Sequence, residues 1–296
     1  MLLNLFEDGR LPEVASVQVE SEYGHAARIV YKNGSVWLIR GTNVGLNSGG
    51  ACDVVKDKEY TKFFLKQGGY VCPRGRSFLL PWWADRIRPG LQARGMLEVR
   101  DSTYAVKYVR EQLGFPVYVK PTDGSEGQGV WRCGSEGEID AVLGDYSSQM
   151  IRVAVVEEAV ALPDYRLIVL QGQLISAYLR TPLSVVGDGV KTIADLIIEL
   201  QGTFEQAGRR TKIDKDDKRI IFRLRRGGLD LSSVPLAKQV VQLLDISNLS
   251  AGGTALDVTE DVAPRWRQLS VDIAQYLGLN FCGVDLACPD ITTNTG

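Results

Sequence analysis

The sequence predicts an α+β (α/β) protein of about two domains preceded by a small β-rich unit. Three observations carry that expectation. The 296 residues exceed the size at which a single core stops growing. Short alternating apolar runs recur around glycine turns, and capped amphipathic helices lie between them.

Along the chain, residues 1–52 form the small N-terminal domain, with Ala27–Tyr31 and Ser35–Arg40 as strands flanking the Lys32-Asn33-Gly34 turn. Asn43 to Gly50 reads as loop. Asp57 is an N-cap for a helix that carries Tyr60, Phe63, Phe64 and Leu65 and closes at Gly68-Gly69. Residues 72–100 hold three prolines, the Trp82-Trp83 pair and several arginines without periodicity. They read as a long irregular connection, with the tryptophans a candidate surface for a homo-oligomer. A second helix runs from Ser102 to Leu113, stopped by Gly114. Ser135 with Glu138 caps a short helix ending near Leu143, and Met150–Val156 is a buried strand. These elements fill a segment from 53 to 155.

From 156 to 296, Arg166–Leu170 and Leu174–Arg180 form a hairpin, and Thr192 with Asp195 caps a helix carrying Ile193, Leu196, Ile197 and Leu200. Arg209 to Arg226 is dense in both charge signs. Its cluster of Arg219, Arg223, Arg225 and Arg226 is either a solvated helical face or a contact to an anionic substrate. Pro264 opens the last helix, with Leu269, Ile273, Tyr276 and Leu277 facing inward, and Phe281–Leu286 is the last strand.

Composition narrows the functional classes. Hydrophobic residues make up 45%, charged residues 24%, and the formal net charge is −2, so no global field recruits nucleic acid or an acidic membrane. No apolar run approaches the ~20 residues of a membrane span, and the N-terminus lacks a basic signal-peptide region, which together predict a cytoplasmic location. Five scattered cysteines fit reduced thiols. The single histidine, His25, is read as structural, which leaves no Ser-His-Asp or Cys-His machinery. Small molecules are the expected partners.

The segment Pro116–Val130 carries the chemistry. Alternation puts Val117 and Val119 on one strand face and Tyr118 and Lys120 on the other, delivering an ammonium beside Gly124, Gly127 and Gly129. Backbone N–H groups at such glycines can converge on an anion, which makes this a polyphosphate cradle; the bland alternative is a hairpin with a long Gly-rich turn. Neither P-loop nor dinucleotide spacing is present, because strand-like Val130–Cys133 follows.

Read in order, Asp57-Lys58, Lys120 with its loop, Glu157–Arg166 and Gly283-Val284-Asp285 resemble the ATP-grasp superfamily of carboxylate–amine ligases. Val186–Leu196 and Asn248–Thr259 are similar to segments of the cyanophycin synthetase family; glutathione synthetase and D-alanine–D-alanine ligase share the general pattern. The likeness covers roughly residues 50–296. It implies an ATP-grasp fold, two subdomains with antiparallel sheets clamping ATP under a lid hairpin, and ATP and Mg²⁺ as cofactors. By the same resemblance Lys58 and Lys120 contact phosphates, with Gly124, Ser125, Gln128 and Gly129 in the lid; Glu157, Glu158 and Val160 read and pack the adenine; and Asp164 binds the ribose. Asp285 is the metal ligand. Asn248, Ser250, Gly252 and Gly253 form the substrate loop, and Arg166 and Arg180 are either phosphoryl-stabilising groups or charges at hairpin ends. Two departures stand out. The family's Glu-x-Asn metal pair does not occur before Gly296, and no arginine directly precedes Asn248. The activity implied is amide formation through an acyl phosphate; the alternatives are a nucleotide-binding module without turnover and an ATP-dependent phosphotransferase.

Overall fold

The computed structural model describes residues 2–41, 43–95, 99–124 and 127–294. Helix α1 (Leu2–Glu7) precedes an antiparallel meander of β1 (Val14–Val19), β2 (Ala26–Tyr31) and β3 (Val36–Arg40). The tight turn before β3 uses Gly34 at φ 84°, while Asn33 Oδ1 accepts from Ser35 N at 2.9 Å. Helix α2 (Gly49–Lys56), capped by Ser48, opens on the last two residues of the expected loop. Its two opening glycines hide it, since they lower helix propensity although helix ends tolerate them. Helix α3 (Lys58–Gln67) begins at Asp57, whose carboxylate accepts from Glu59 N and Tyr60 N. Its aromatic residues Tyr60, Phe63 and Phe64 are exposed, and the one buried residue is Lys62.

The region expected to be irregular contains β4 (Gly75–Leu79) and α4 (Pro81–Gln92). Arginines and an internal Pro89 obscure the helical period, yet Pro81 suits the first turn and Ala84 packs fully buried. The two tryptophans offered as a candidate surface lie on this helix, both half-buried. Trp82 packs on the core and donates from Nε1 to Ile151 O at 2.9 Å, while Trp83 lies against the guanidinium groups of Arg86 and Arg152.

A 3-10 turn (Ser102–Tyr104), α5 (Ala105–Tyr108) and a π turn (Val109–Leu113) make one helical run stopped by Gly114 at φ 77°. Then come β5 (Val117–Pro121), β6 (Trp131–Cys133), α6 (Glu136–Ser148) and β7 (Val153–Glu158). Helix α6 runs beyond the expected stop at Leu143 because Tyr146, fully buried, still faces the sheet; β7 is shifted towards the two glutamates. The sheet order is β4-β7-β5-β6, all antiparallel. Its core joins Phe78, Val109, Val117, Val119, Ile139 and Tyr146.

The second sheet is built from β8 (Asp164–Leu170) and β9 (Gln173–Thr181), a hairpin turning at Gln171-Gly172 with both φ values positive. A β10 (Ser184–Val186) and β11 (Val240–Gln242) ribbon packs with α7 (Ile193–Gln206) and α8 (Lys218–Arg226). Strand β12 (Thr254–Asp257), α9 (Pro264–Tyr276) and β13 (Phe281–Ala287) complete the order β12-β9-β8-β13. Along α9 the buried residues are Trp266, Ser270 and Ala274; Tyr276, expected inside, is exposed and meets Tyr70 edge-on.

Asn47 fastens the segment before α2 to this sheet. Its Oδ1 accepts from Asn280 N at 2.8 Å and Phe281 N at 2.9 Å, and its Nδ2 donates to Phe281 O at 2.7 Å. The side-chain amide thus acts as a short extra strand. Asn47→Ala is expected to lower stability by roughly 2 kcal/mol, because it strands several backbone groups, and urea unfolding of the two proteins will measure it.

Candidate active site

Strand alternation places Lys120 on the face opposite the buried Val117 and Val119. Its ammonium donates to Glu157 Oε1 on β7, and Glu157 Oε2 accepts from Lys62 Nζ at 3.0 Å. Lys62 also lies 3.3 Å from Glu59 Oε1, while Glu59 Oε2 accepts from Ser77 N at 3.1 Å. Glu157 is only 7% exposed. Burial opposes its charge, but Lys120 and Lys62 outweigh it and hold the carboxyl below its ordinary value. Burial likewise opposes charge on Lys62, and Glu157 and Glu59 win, raising it.

Lys58, at the first turn of α3, donates to Pro121 O and Thr122 O, each at 3.1 Å, and to Gly124 O. Burial first, then the neighbouring Lys120 charge, pushes its ammonium down. Lys58 and Lys120 therefore repel each other at the mouth of the glycine loop. A bound anion there would relieve that repulsion.

The adjacent glutamates diverge as strand alternation demands. Glu158 turns away from Lys120 and accepts from Arg74 N and Arg74 Nε, both at 2.7 Å. Its side chain is thereby committed to Arg74. Val160 beyond it stays 39% exposed, an apolar surface after the strand end.

The glycine loop bends onto the C-terminal half. Gly127, at φ 75°, lies so close that a Cβ there would stand 2.6 Å from Ile246 Cδ1 and 2.8 Å from Asn248 Oδ1. Its carbonyl accepts from Arg219 at 2.8 Å, and Arg219 is itself gripped by Asp217 at 2.7 Å. Gly124 and Gly129 pack against Pro121; Ser125 lies outside the described residues. Tyr118, beside Lys120 on β5, donates to Asp245 O at 2.8 Å, and burial pushes its hydroxyl up to about 12. The basic cluster of α8 is thus largely paired: Arg223 and Arg226 meet Asp245 at 3.2 and 2.8 Å, while Arg225 and Arg226 stay exposed at the helix end.

Register builds the facing half. Strand pairing sets Asp164 opposite Arg180 and Arg166 opposite Asp285. Arg180 reaches Asp164 Oδ1 at 2.6 Å and Asp285 Oδ1 at 3.0 Å, and Arg166 reaches Asp285 at 2.8 Å. Gly283 makes room, since a Cβ there would fall 2.1 Å from Arg166 Nε. Ser247 Oγ donates to Asp164 Oδ2, a contact nothing in the sequence announced. Among the described residues, the buried Nε of Arg180 has no hydrogen-bond partner. That leaves one donor for an incoming acceptor.

Asn248 begins a 3-10 turn (Leu249–Ala251) that ends at Gly252, φ 95°; at Gly253 a Cβ would lie 2.7 Å from Ser247 O and Thr181 O. Arg209, another group the sequence reading missed, donates to Leu249 O at 2.9 Å and Gly253 O at 3.0 Å. It supports the loop from a remote position where no arginine directly precedes Asn248. Beside this loop a cavity of about 260 Å³ is lined by Gln128, Lys212, Asp217, Arg219 and Ser250 over Leu183 and Ile220.

Among the described residues, no three His, Cys, Asp or Glu side chains gather as a metal site. Asp285 supplies one partly exposed carboxylate, already facing two arginines. That donor set fits Mg²⁺ only as an ion carried largely by phosphate and water, a common mode for this cation.

The chain has an ATP-grasp fold, and the proteins it resembles in sequence are ATP-grasp ligases. Over 253 residues it is 30% identical to cyanophycin synthetase of Crocosphaera subtropica, covering 82% of this chain and 26% of that protein. The glutathione biosynthesis bifunctional protein GshAB of Mannheimia succiniciproducens is 33% identical over 184 residues, 60% of this chain and 24% of that protein. The crystal structure of a bifunctional glutathione synthetase from Pasteurella multocida superposes with a TM-score of 0.55 at 23% identity, covering 99% of this chain and 38% of that one. The chain spans about a quarter of the length of the curated relatives it matches. No protein-family model matches it.

Linkage has a definite sign here. Glu157, held low when folded, stabilises the protein above the ordinary carboxyl value of about 4.3, and this contribution disappears as pH falls through its lower folded value. Lys62, held high, contributes below about 10.4 and loses that contribution as pH rises through its folded value. Glu157→Gln should cost about 3 kcal/mol at pH 7, and the gap to wild type should close as the pH drops below 4. Urea midpoints across pH 2–7 test this.

Proposed function

We propose that the chain acts as an ATP- and Mg²⁺-dependent ligase that joins an amino acid or peptide carboxylate to an amine, working in the cytoplasm on small molecules. One observation carries the reading. An unbroken line of contacts links Gly127 of the lid to Asn248, Ser247 to Asp164, Asp164 to Arg180, and Arg180 to Asp285 and Arg166. That continuity supports a reading in which phosphate-holding groups, a ribose acceptor, a substrate loop and cations for a migrating phosphoryl group work side by side.

In this reading Lys58, Lys120 and the amides of Gly124, Gln128 and Gly129 hold phosphate oxygens. The strand end from Glu157 to Val160 receives the adenine, and Asp164 accepts from ribose hydroxyls. The γ-phosphoryl group passes to a carboxylate oxygen held by the Asn248–Gly253 loop, and ADP departs. An amine then attacks the acyl carbon, phosphate leaves with the electron pair of the broken C–O bond, and the amine nitrogen loses a proton. Arg166 and Arg180 place fixed positive charge where the transferring group is most negative. When bound, Mg²⁺ neutralises charge between the phosphates, with Asp285 as its protein ligand. Five cysteines without a disulfide among the described residues suit a reducing compartment.

The full-length product incubated with ATP, magnesium and amino acid pools should release ADP only with certain pools and yield an amide mass. Lys120→Met should lower kcat/KM on the order of 100-fold. A second reading, nucleotide binding without turnover, is favoured by the pairing of Asp285, the residue the resemblance assigns to the metal, with Arg166 and Arg180. It is supported if ATP binds and no pool releases ADP; ADP release without an amide identifies a phosphotransferase.

A further inference from the structure

Among the groups that the proposed chemistry leaves unused, Lys62 is the most constrained. It is the single buried residue of α3, and its ammonium bridges Glu157 Oε2 and Glu59 Oε1 behind Lys120. We propose that Lys62 is a positioning residue that keeps Glu157 neutralised when Lys120 leaves it for a phosphate group of the nucleotide. The inference rests on the phosphate-binding reading of Lys120.

In the structure Lys120 and Lys62 each occupy one oxygen of the same carboxylate. A buried carboxylate with a single cation holds that cation tightly, because separating them leaves a naked charge in a poorly solvated place. With two cations, one can depart and the other still compensates. Glu59 keeps Lys62 in reach without satisfying it alone, since its second oxygen is spent on Ser77 N. The arrangement makes Lys120 exchangeable between carboxylate and phosphate. Lys58, its proposed partner in holding phosphate, rests on three backbone carbonyls and not on a carboxylate, so it needs no such exchange.

The test compares wild type, Lys62→Met, Lys62→Arg and the double variant Lys62→Met/Glu157→Gln, each first shown to melt cooperatively. Acylation of Lys120 by an N-hydroxysuccinimide acetate, followed by peptide mass spectrometry, reads how tightly its amine is held without any nucleotide. Lys62→Met should slow that acylation about tenfold, Lys62→Arg should stay within about twofold, and the double variant should recover the wild-type rate. Calorimetric binding of ATP should follow the same order, with Kd raised about tenfold in Lys62→Met. Glu59→Gln supplies an arm that survives if Lys62→Met does not fold: it hands Lys62 wholly to Glu157 and should speed Lys120 acylation. A folded Lys62→Met whose acylation matches wild type, no recovery in the double variant, or no acceleration in Glu59→Gln overturns the proposal. If wild type binds no ATP, the nucleotide reading fails, and the acylation arms still decide whether Lys62 releases Lys120.

Discussion

The site is organised around one buried carboxylate. Glu157 sits at the end of β7 with both oxygens taken by lysines from separate elements, β5 and α3. Those two cations hold it ionised against its burial, and in return it fixes the place of α3 over the sheet. Neighbouring positions conform to it. Gly75, opposite Glu157 in β4, has no room for a side chain, because a Cβ there would lie 2.5 Å from Glu157 Cβ. Lys58 follows from the same docking of α3, which swings its ammonium under the carbonyls leading into the glycine loop.

The facing half solves the same electrostatic problem differently. Here the charges are placed by strand register instead of by a helix: Asp164 with Arg180 and Asp285 with Arg166 are direct cross-strand partners. Opposite charges at such positions attract while the sheet supplies the geometry. Both halves are therefore internally compensated. On the proposed function, an entering nucleotide would have to exchange these existing ion pairs for new ones, and a polyphosphate could do so at little net cost.

Much of this was legible in the chain. Period-two alternation identified which face Lys120 occupies, the N-cap at Asp57 located α3, and glycine turns marked the hairpins. The order of Lys58, Lys120, Asp164 and Asp285 along the chain is itself enough to resemble the ATP-grasp pattern. What was not legible has a common physical cause. Lys62 looks like a solvated helix lysine, and the aromatic residues on α3 look like its core face, yet the lysine is inside and the aromatics are outside. Periodicity weighs hydrophobicity alone, and it fails where an ion pair decides which face is buried. Ser247, Arg209 and Arg74 act through carbonyls or carboxylates remote in sequence, which no local spacing encodes. Helix α4 escaped because charge and proline masked its period.

The basic stretch of α8 shows how such a cluster acquires a purpose that its composition does not specify. Four arginines within eight residues suggest either solvent or an anionic ligand. Instead Arg223 and Arg226 converge on Asp245, and Arg219, held by Asp217, reaches across to the carbonyl of Gly127. A guanidinium suits this use because its planar fork can serve a carboxylate on one side and a carbonyl on another without losing its charge. The lid loop is consequently secured by a carbonyl, leaving its amide groups, the donors a phosphate requires, uninvolved in that contact. Tyr118 adds a second crossing through Asp245 O, so the same short segment that pairs with α8 also braces the strand bearing Lys120. The contacts of Gly127 and of the strand bearing Lys120 thereby meet on the same helix, α8, through Arg219 on one side and Asp245 on the other.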